Sequence, residues 1–296
     1  MFLRFGPPAA LLALTVPSLA QVTNPADDAL KRAREDLSLD SLEHTQVSTT
    51  TVVGRPVSEY REEDRVGDYD QPLWTTQRLF PSTRIYVRPA GTMGFEFWTR
   101  VKVPKDEGKT TVENQYEVEF GLPHRFQIDI YAVTEKTGSE GELNFSEQKF
   151  EGRWAIADWG KIWMNPTLYF EYVERDLEAD VLEYKLLLGD ELAPGWHFGS
   201  NLVFEHEVSN ELENEYELTM GIARVIVDQE LSLGAEMKAA AVDVHEDRGD
   251  YETSLEIGPS LRWQPNDRMH IDFAPLIGIG SDARAADIFL VIGWEL

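Results

Sequence analysis

The sequence predicts an all-β protein: an up-and-down antiparallel transmembrane β-barrel of about twelve strands behind a mostly irregular N-terminal arm. Three observations carry this. Apolar and polar residues alternate with period two along most of the chain after residue 91. The first twenty residues have the form of a secretory leader. The links between strands are short on one side and longer and more charged on the other, as in transmembrane barrels.

Alternation is plainest at Asn114–Val133, where Tyr116, Val118 and Phe120 interleave with Gln115, Glu117 and Glu119. A Gly121-Leu122-Pro123-His124 turn follows, and Phe126, Ile128 and Ile130 interleave with Gln127, Asp129 and Tyr131. Successive side chains of a strand point to opposite faces, so this is a hairpin with one apolar and one acidic face. Strands are expected at 92–103, 113–121, 124–134, 143–157, 162–174, 180–189, 195–208, 212–226, 229–243, 250–263, 267–279 and 286–296. Most reach the ~9–11 residues that a tilted strand needs to cross a bilayer. Leu122–Pro123, Asp158–Lys161, Asp190–Pro194, Val227–Asp228 and Gln264–Asn266 are the expected tight turns. Pro259 and Pro275 interrupt strands ten and eleven, and a phase change between Phe145 and Phe150 predicts a bulge in strand four. Trp154, Trp159, Trp163, Trp196, Trp263 and Trp294 near strand ends suit an interfacial girdle.

Before the barrel, Arg4, the apolar run Ala9–Val16 and Ser18-Leu19-Ala20 predict a signal peptide over residues 1–20. Residues 21–91 are expected to be a periplasmic linker or arm, with one short helix near Ala29–Leu37 and a short strand near 83–88. A folded plug is the weaker alternative for this arm. Residues 92–296 form the barrel, placed in the outer membrane of a Gram-negative-type cell.

The formal net charge of -26 disfavours nucleic acid, whose phosphates call for a basic footprint. No cysteine is present, which removes thiolate metal sites and a Cys nucleophile. Among nucleophile candidates, His197 and Ser200 lie on opposite faces of a strand, and His206 with Ser209 has no third partner. His245, Glu246 and Asp247 with Asp243 and Asp250 could hold a hard cation weakly, yet acidic loops are usually only solvated. No P-loop, dinucleotide or zinc-protease motif occurs, so neither enzyme nor cofactor is expected.

If the apolar residues face lipid, the lumen receives Glu96, Glu117, Glu119, Asp129, Glu151, Glu171, Glu183, Glu205, Glu215, Glu217, Glu230, Glu236, Glu252, Glu256 and Asp272. Far fewer bases join them: Arg100, Lys102, Arg153, Lys185, Lys238 and Arg262. Rings of carboxylates favour cations, so the expected function is a channel or transporter for small solutes with a cation bias. The alternative is a plugged barrel with a structural or adhesive role. Outer-membrane lipid is the expected surroundings.

The hairpin Phe120-Gly-Leu-Pro-His-Arg-Phe-Gln-Ile128, with Asn165-Pro166 and Gly195-Trp196 opening later strands, resembles the outer-membrane transporters of the phenol meta-pathway (MetA-like) family. The resemblance spans about residues 92–296 and implies an outer-membrane barrel with a transport function. It implies no catalytic or ligand residue. The last strand, Asp287–Leu296, resembles the C-terminal assembly signal of outer-membrane proteins, which makes the barrel-assembly machinery an expected partner. A terminal Phe is the commoner ending, and Leu296 departs from it.

Overall fold

The computed structural model describes residues 60–296 apart from 210–211, 244–247 and 281–282. The expected signal peptide, the helix near Ala29–Leu37 and the loop residues His245, Glu246 and Asp247 lie outside the described residues.

Twelve antiparallel strands close into one barrel. They are β1 (Met93–Val103), β2 (Thr111–Leu122), β3 (Phe126–Thr137), β4 (Asn144–Ala155), β5 (Thr167–Arg175) and β6 (Val181–Ala193). The second half comprises β7 (Trp196–Glu207), β8 (Asn214–Val227), β9 (Leu231–Asp243), β10 (Glu252–Asn266), β11 (Met269–Ile279) and β12 (Ala286–Glu295). Each strand pairs with its sequence neighbours, and β12 pairs with β1, so no edge is left to donate into lipid. Along β3 the outward Phe126, Ile128 and Ile130 are exposed, whereas Gln127 and Asp129 are completely buried. A soluble protein would invert that pattern; a bilayer explains it.

The predicted bulge is present. Val133 pairs with Glu147 and Thr134 with Phe145, which leaves Ser146 as the extra residue of β4. Pro259 and Pro275 produce no bulge. Ile257 pairs with Ile277 and Leu261 with Phe273 in one continuous register, and the ladder simply opens between them. Gly258 makes this possible, since a Cβ there would stand 2.0 Å from the Pro275 carbonyl oxygen.

One expectation about the connections and one about the aromatic girdle need correction. Asp158–Lys161 is a tight turn, with the Lys161 N–H donating to the Asp158 carbonyl at 3.1 Å, but it does not lead directly into strand five. The chain from Ile156 to Pro166 is a long excursion, and β5 begins only at Thr167. Trp159 is the reason: it is buried, and it packs edge-on against Tyr69 and Trp74 with ring centroids 6.0 and 5.8 Å apart. It therefore leaves the interfacial girdle, while Trp154, Trp163, Trp196, Trp263 and Trp294 remain exposed on the outer surface.

The larger correction concerns the arm. Residues 60–91 are not a linker outside the barrel; they fold into its lumen as a plug. Two short 3-10 turns, Arg61–Glu63 and Leu73–Thr75, flank a two-residue ladder joining Arg65–Val66 to Gln71–Pro72. Gln71, fully buried, ties the plug to itself by donating to the carbonyls of Thr75 and Val87 at 3.1 and 2.7 Å. The expected strand near 83–88 joins no sheet. Its backbone groups are satisfied by wall side chains instead. Ser82 N–H donates to Glu236 at 2.8 Å, Arg84 N–H to Asn201 at 2.8 Å and Arg88 N–H to Gln127 at 2.7 Å. Arg153 donates to the Tyr86 carbonyl at 3.1 Å. Irregular backbone is tolerated at membrane depth only where protein covers it in this way.

Candidate functional site: a plugged, acid-lined lumen

The plug enters from the end that carries Met93 and Glu295. Glu63 accepts from the Gly195 N–H at 2.6 Å, and Asp228 accepts from the Arg61 and Glu62 N–H groups at 3.0 and 3.3 Å. Trp74 lies flat on His197, with centroids 4.2 Å apart, and donates to Glu191 at 3.1 Å. Phe80 and Ile85 then press against glycines of the wall, where no side chain intervenes. A Cβ on Gly221 would stand 2.6 Å from Phe80, and one on Gly199 would stand 2.4 Å from Ile85.

Deep in the lumen the plug supplies the positive charge that the wall lacks. Arg78 binds Glu96 at 2.8 Å and approaches Glu117 at 3.6 Å, with its guanidinium 3.9 Å above the Trp98 ring. Arg84 bridges Glu117 and Glu151 at 3.2 and 3.7 Å. Arg88 binds Glu119 at 2.9 Å and also Glu295. Arg153 of the wall holds Asp129 at 2.8 Å and pairs with Glu151. Tyr131 donates to Glu117 at 2.6 Å, and Tyr86 bonds Glu119. The expected picture of under-compensated carboxylates therefore fails at this depth, because three arginines of the supposed linker neutralise them.

Glu117, Glu119, Asp129, Glu151, Arg153, Glu171 and Glu183 are all buried within the barrel. Glu236, Glu256, Arg262 and Asp272 are buried there too. Lys185, Glu205, Glu215, Glu217 and Lys238 are partly buried, and Glu252 is exposed at the start of β10. Glu230 does not line the lumen; it is exposed in the β8–β9 turn, one residue before β9 begins. His197 is sealed under Trp74, and His206 lies 2.8 Å from the Asn214 side chain rather than on Ser209. The Asp243 carboxylate is occupied by Arg248 at 2.9 Å and by the Gly249 N–H at 3.0 Å.

Register arranges the acids in a pattern that spacing within single strands does not reveal. Glu119 faces Asp129 directly, Asp129 faces Glu151, and Glu151 faces Glu171. Glu171 faces Glu183, Glu183 faces Glu205, and Glu205 faces Glu215. One carboxylate per strand thus forms an unbroken row across β2–β8. Strands tilt in a barrel, so such a row climbs from the plugged end toward the loops. Like charges directly opposite destabilise a sheet, so sheet stability does not account for the row.

Above the plug the lumen opens into a polar vestibule. One cavity, about 210 Å³, has Ser82, Arg84, Trp98 and Tyr131 at its base and Glu171, Glu183 and Glu205 on its wall. A second, about 400 Å³, extends to Glu215, Glu252 and Arg284 at the loop end.

The functional residues that sequence reasoning missed are Arg78, Arg84, Tyr86 and Arg88. Their signal is present: Arg84, Tyr86 and Arg88 recur with period two, opposite Ile85 and Val87, in a chain otherwise poor in bases.

At the plug's entry, burial pushes the Glu62 carboxyl up to about 7, against the pull of Arg262 and with a further push from Asp228. The docked state then holds the Glu62 proton more tightly than the undocked one, so docking is firmest below the ordinary carboxylate pKa. It weakens as pH rises toward about 7 and levels off beyond. Protease resistance of residues 60–91, followed from pH 5 to 8, should therefore fall with pH, and Glu62→Gln should flatten the curve and keep docking firm at pH 8. An unchanged slope in Glu62→Gln would move the effect to another group.

No protein-family model matches the chain, and no curated protein is similar to it in sequence. Solved structures do match. The COG4313 outer membrane channel from Pseudomonas putida F1 aligns with a TM-score of 0.54 at 6% identity, over 70% of this chain and 96% of that one. The KdgM porin in complex with disordered oligogalacturonate aligns at 0.49 and 7% identity, over 69% and 99% of the two chains. The NanC porin gives 0.47 at 11% identity, over 69% and 100%. At these identities the likeness concerns the fold, and with the apolar outer surface it identifies the chain as a twelve-stranded outer-membrane β-barrel.

Proposed function

We propose that this protein is an outer-membrane channel for small solutes, closed by its own residues 60–91, and that the opened lumen favours cations. One observation carries the reading: the carboxylates that would line an open pore, Glu96, Glu117, Glu119 and Glu151, are the same groups that hold Arg78, Arg84 and Arg88. Undocking exposes those acids together, and carboxylate rings favour cation passage. The MetA-like resemblance of residues 92–296 supports a transport role as well.

Planar-bilayer recording tests this. The full chain should conduct little, and a chain lacking residues 21–91 should conduct with a reversal potential on the cation side. A truncated barrel that shows heat-modifiable migration yet stays silent, or that prefers anions, would overturn the proposal.

The density of buried ion pairs around the plug favours a second reading, a permanently closed barrel that acts through its loops. Liposome swelling separates the two, since only a barrel that opens admits solutes. No catalytic role is assigned: His197 is capped by Trp74, and Ser200 points to the opposite face of β7 from His197.

A further inference from the structure

We infer that the upper part of the carboxylate row, Glu171–Glu183–Glu205–Glu215, is a binding track for extended polycations of the linear polyamine type. The inference deepens the cation-channel reading and rests on it.

Charge partnering in the vestibule points to a cationic ligand. Every base lining the larger cavity is already matched. Arg100 donates to Asp287 at 2.9 Å, Lys102 lies 2.6 Å from Glu113, Arg175 3.3 Å from Glu147, and Arg284 3.4 Å from Asp287, while Lys238 pairs with Glu217. On the acidic side, Glu183 has Lys185, and Glu171 accepts only the Tyr169 hydroxyl at 2.7 Å. Among the described residues Glu205 and Glu215 have no basic partner within ion-pair distance. Glu256 lines the same cavity, is only 2% exposed, and keeps one carboxylate oxygen without any hydrogen-bond partner. A buried carboxylate left in that state carries a desolvation penalty that a bound cation would relieve. An anion would find no free base among the described residues that line the cavity.

Geometry then separates extended cations from compact ones. A divalent ion needs several oxygens converging on one point. Among the described residues such convergence occurs only deep in the lumen, at Glu96, Glu117 and Glu119 and at Glu117, Asp129 and Glu151. Arginine guanidinium groups already occupy both places. The vestibule acids are instead strung one per strand, at the cross-strand interval of about 4.5–5.5 Å between Cα atoms. Ammonium groups separated by three or four methylenes recur at a comparable interval, so one chain can meet successive carboxylates. A single ammonium or a single metal ion meets one at a time.

The test is calorimetric titration of the full chain in a non-ionic detergent at low salt, with spermidine, propylamine and Mg²⁺ as separate probes. Spermidine should bind at least about tenfold more tightly than either of the others. The double variant Glu205→Gln/Glu215→Gln, checked for heat-modifiable migration, should lose about tenfold in spermidine affinity. Glu256→Gln serves as the second variant, with a loss in the same direction, should the double variant fail to fold. Absence of heat with spermidine, equal affinity for Mg²⁺, or unchanged affinity in the folded variants would overturn the inference. Binding requires no conduction, so a chain that binds spermidine but never conducts refutes only the channel reading. A conducting chain indifferent to spermidine refutes only the track.

Discussion

Replacing Arg78 with methionine should undock the plug. The guanidinium is wholly buried beside Glu96 and Glu117, and its removal leaves Glu96 without its arginine in a water-poor interior, whereas Glu117 keeps Arg84 at 3.2 Å. Breaking one side of a buried ion pair costs about 3–5 kcal/mol. That is roughly a hundredfold or more in the docking equilibrium. The β-ladders of the barrel are untouched, so heat-modifiable migration should persist while residues 60–91 become protease-sensitive and bilayer conductance rises. Glu96→Gln combined with Arg78→Met should recover part of the loss, because that pair, 2.8 Å apart, is coupled. A plug that stays protease-resistant in Arg78→Met would show that apolar packing, not charge pairing, holds it.

The complementary experiment leaves every charge in place and attacks packing. Gly199→Leu with Gly221→Leu would fill the space that Ile85 and Phe80 occupy, since the added Cβ atoms alone come within 2.4 and 2.6 Å of them. Overpacking of this kind costs about 1–3 kcal/mol per site. Both positions face the lumen, so the new leucines have room once the plug has left. The double variant should conduct like the truncated chain. Gly152→Ala is the control, because nothing lies within 4 Å of a Cβ at that position. A double variant that loses heat-modifiable migration would place these glycines in the service of the barrel rather than of the plug.

The barrel was legible in the sequence because one face of each strand must meet lipid, and the resulting alternation sets strand ends to within a few residues. At Phe126, Ile128 and Ile130 that constraint acts alone. It was not legible at 156–166, where Trp159 looks like a girdle residue and instead turns inward onto Tyr69 and Trp74. The plug was harder still. Its residues satisfy their backbone through wall side chains rather than through a ladder, so the period-two run Arg84–Arg88 reads as a strand and not as a plug. The acids of the lumen were found because they alternate with lipid-facing residues. Their partners were missed because Arg78, Arg84 and Arg88 lie far from them in sequence. The acidic row was also hidden, since it depends on register between strands and not on spacing within one.

Arg88 has a consequence beyond neutralising charge. It reaches Glu119 on β2 and Glu295 on β12, the strands on either side of β1, and so spans the seam where the last strand meets the first. Closing the seam and seating the plug are therefore linked equilibria, each making the other more favourable. In assembly, a cylinder that closes around its plug is locked from within. A cylinder that closes empty lacks that clasp and remains the easier of the two to pry open at β1 and β12.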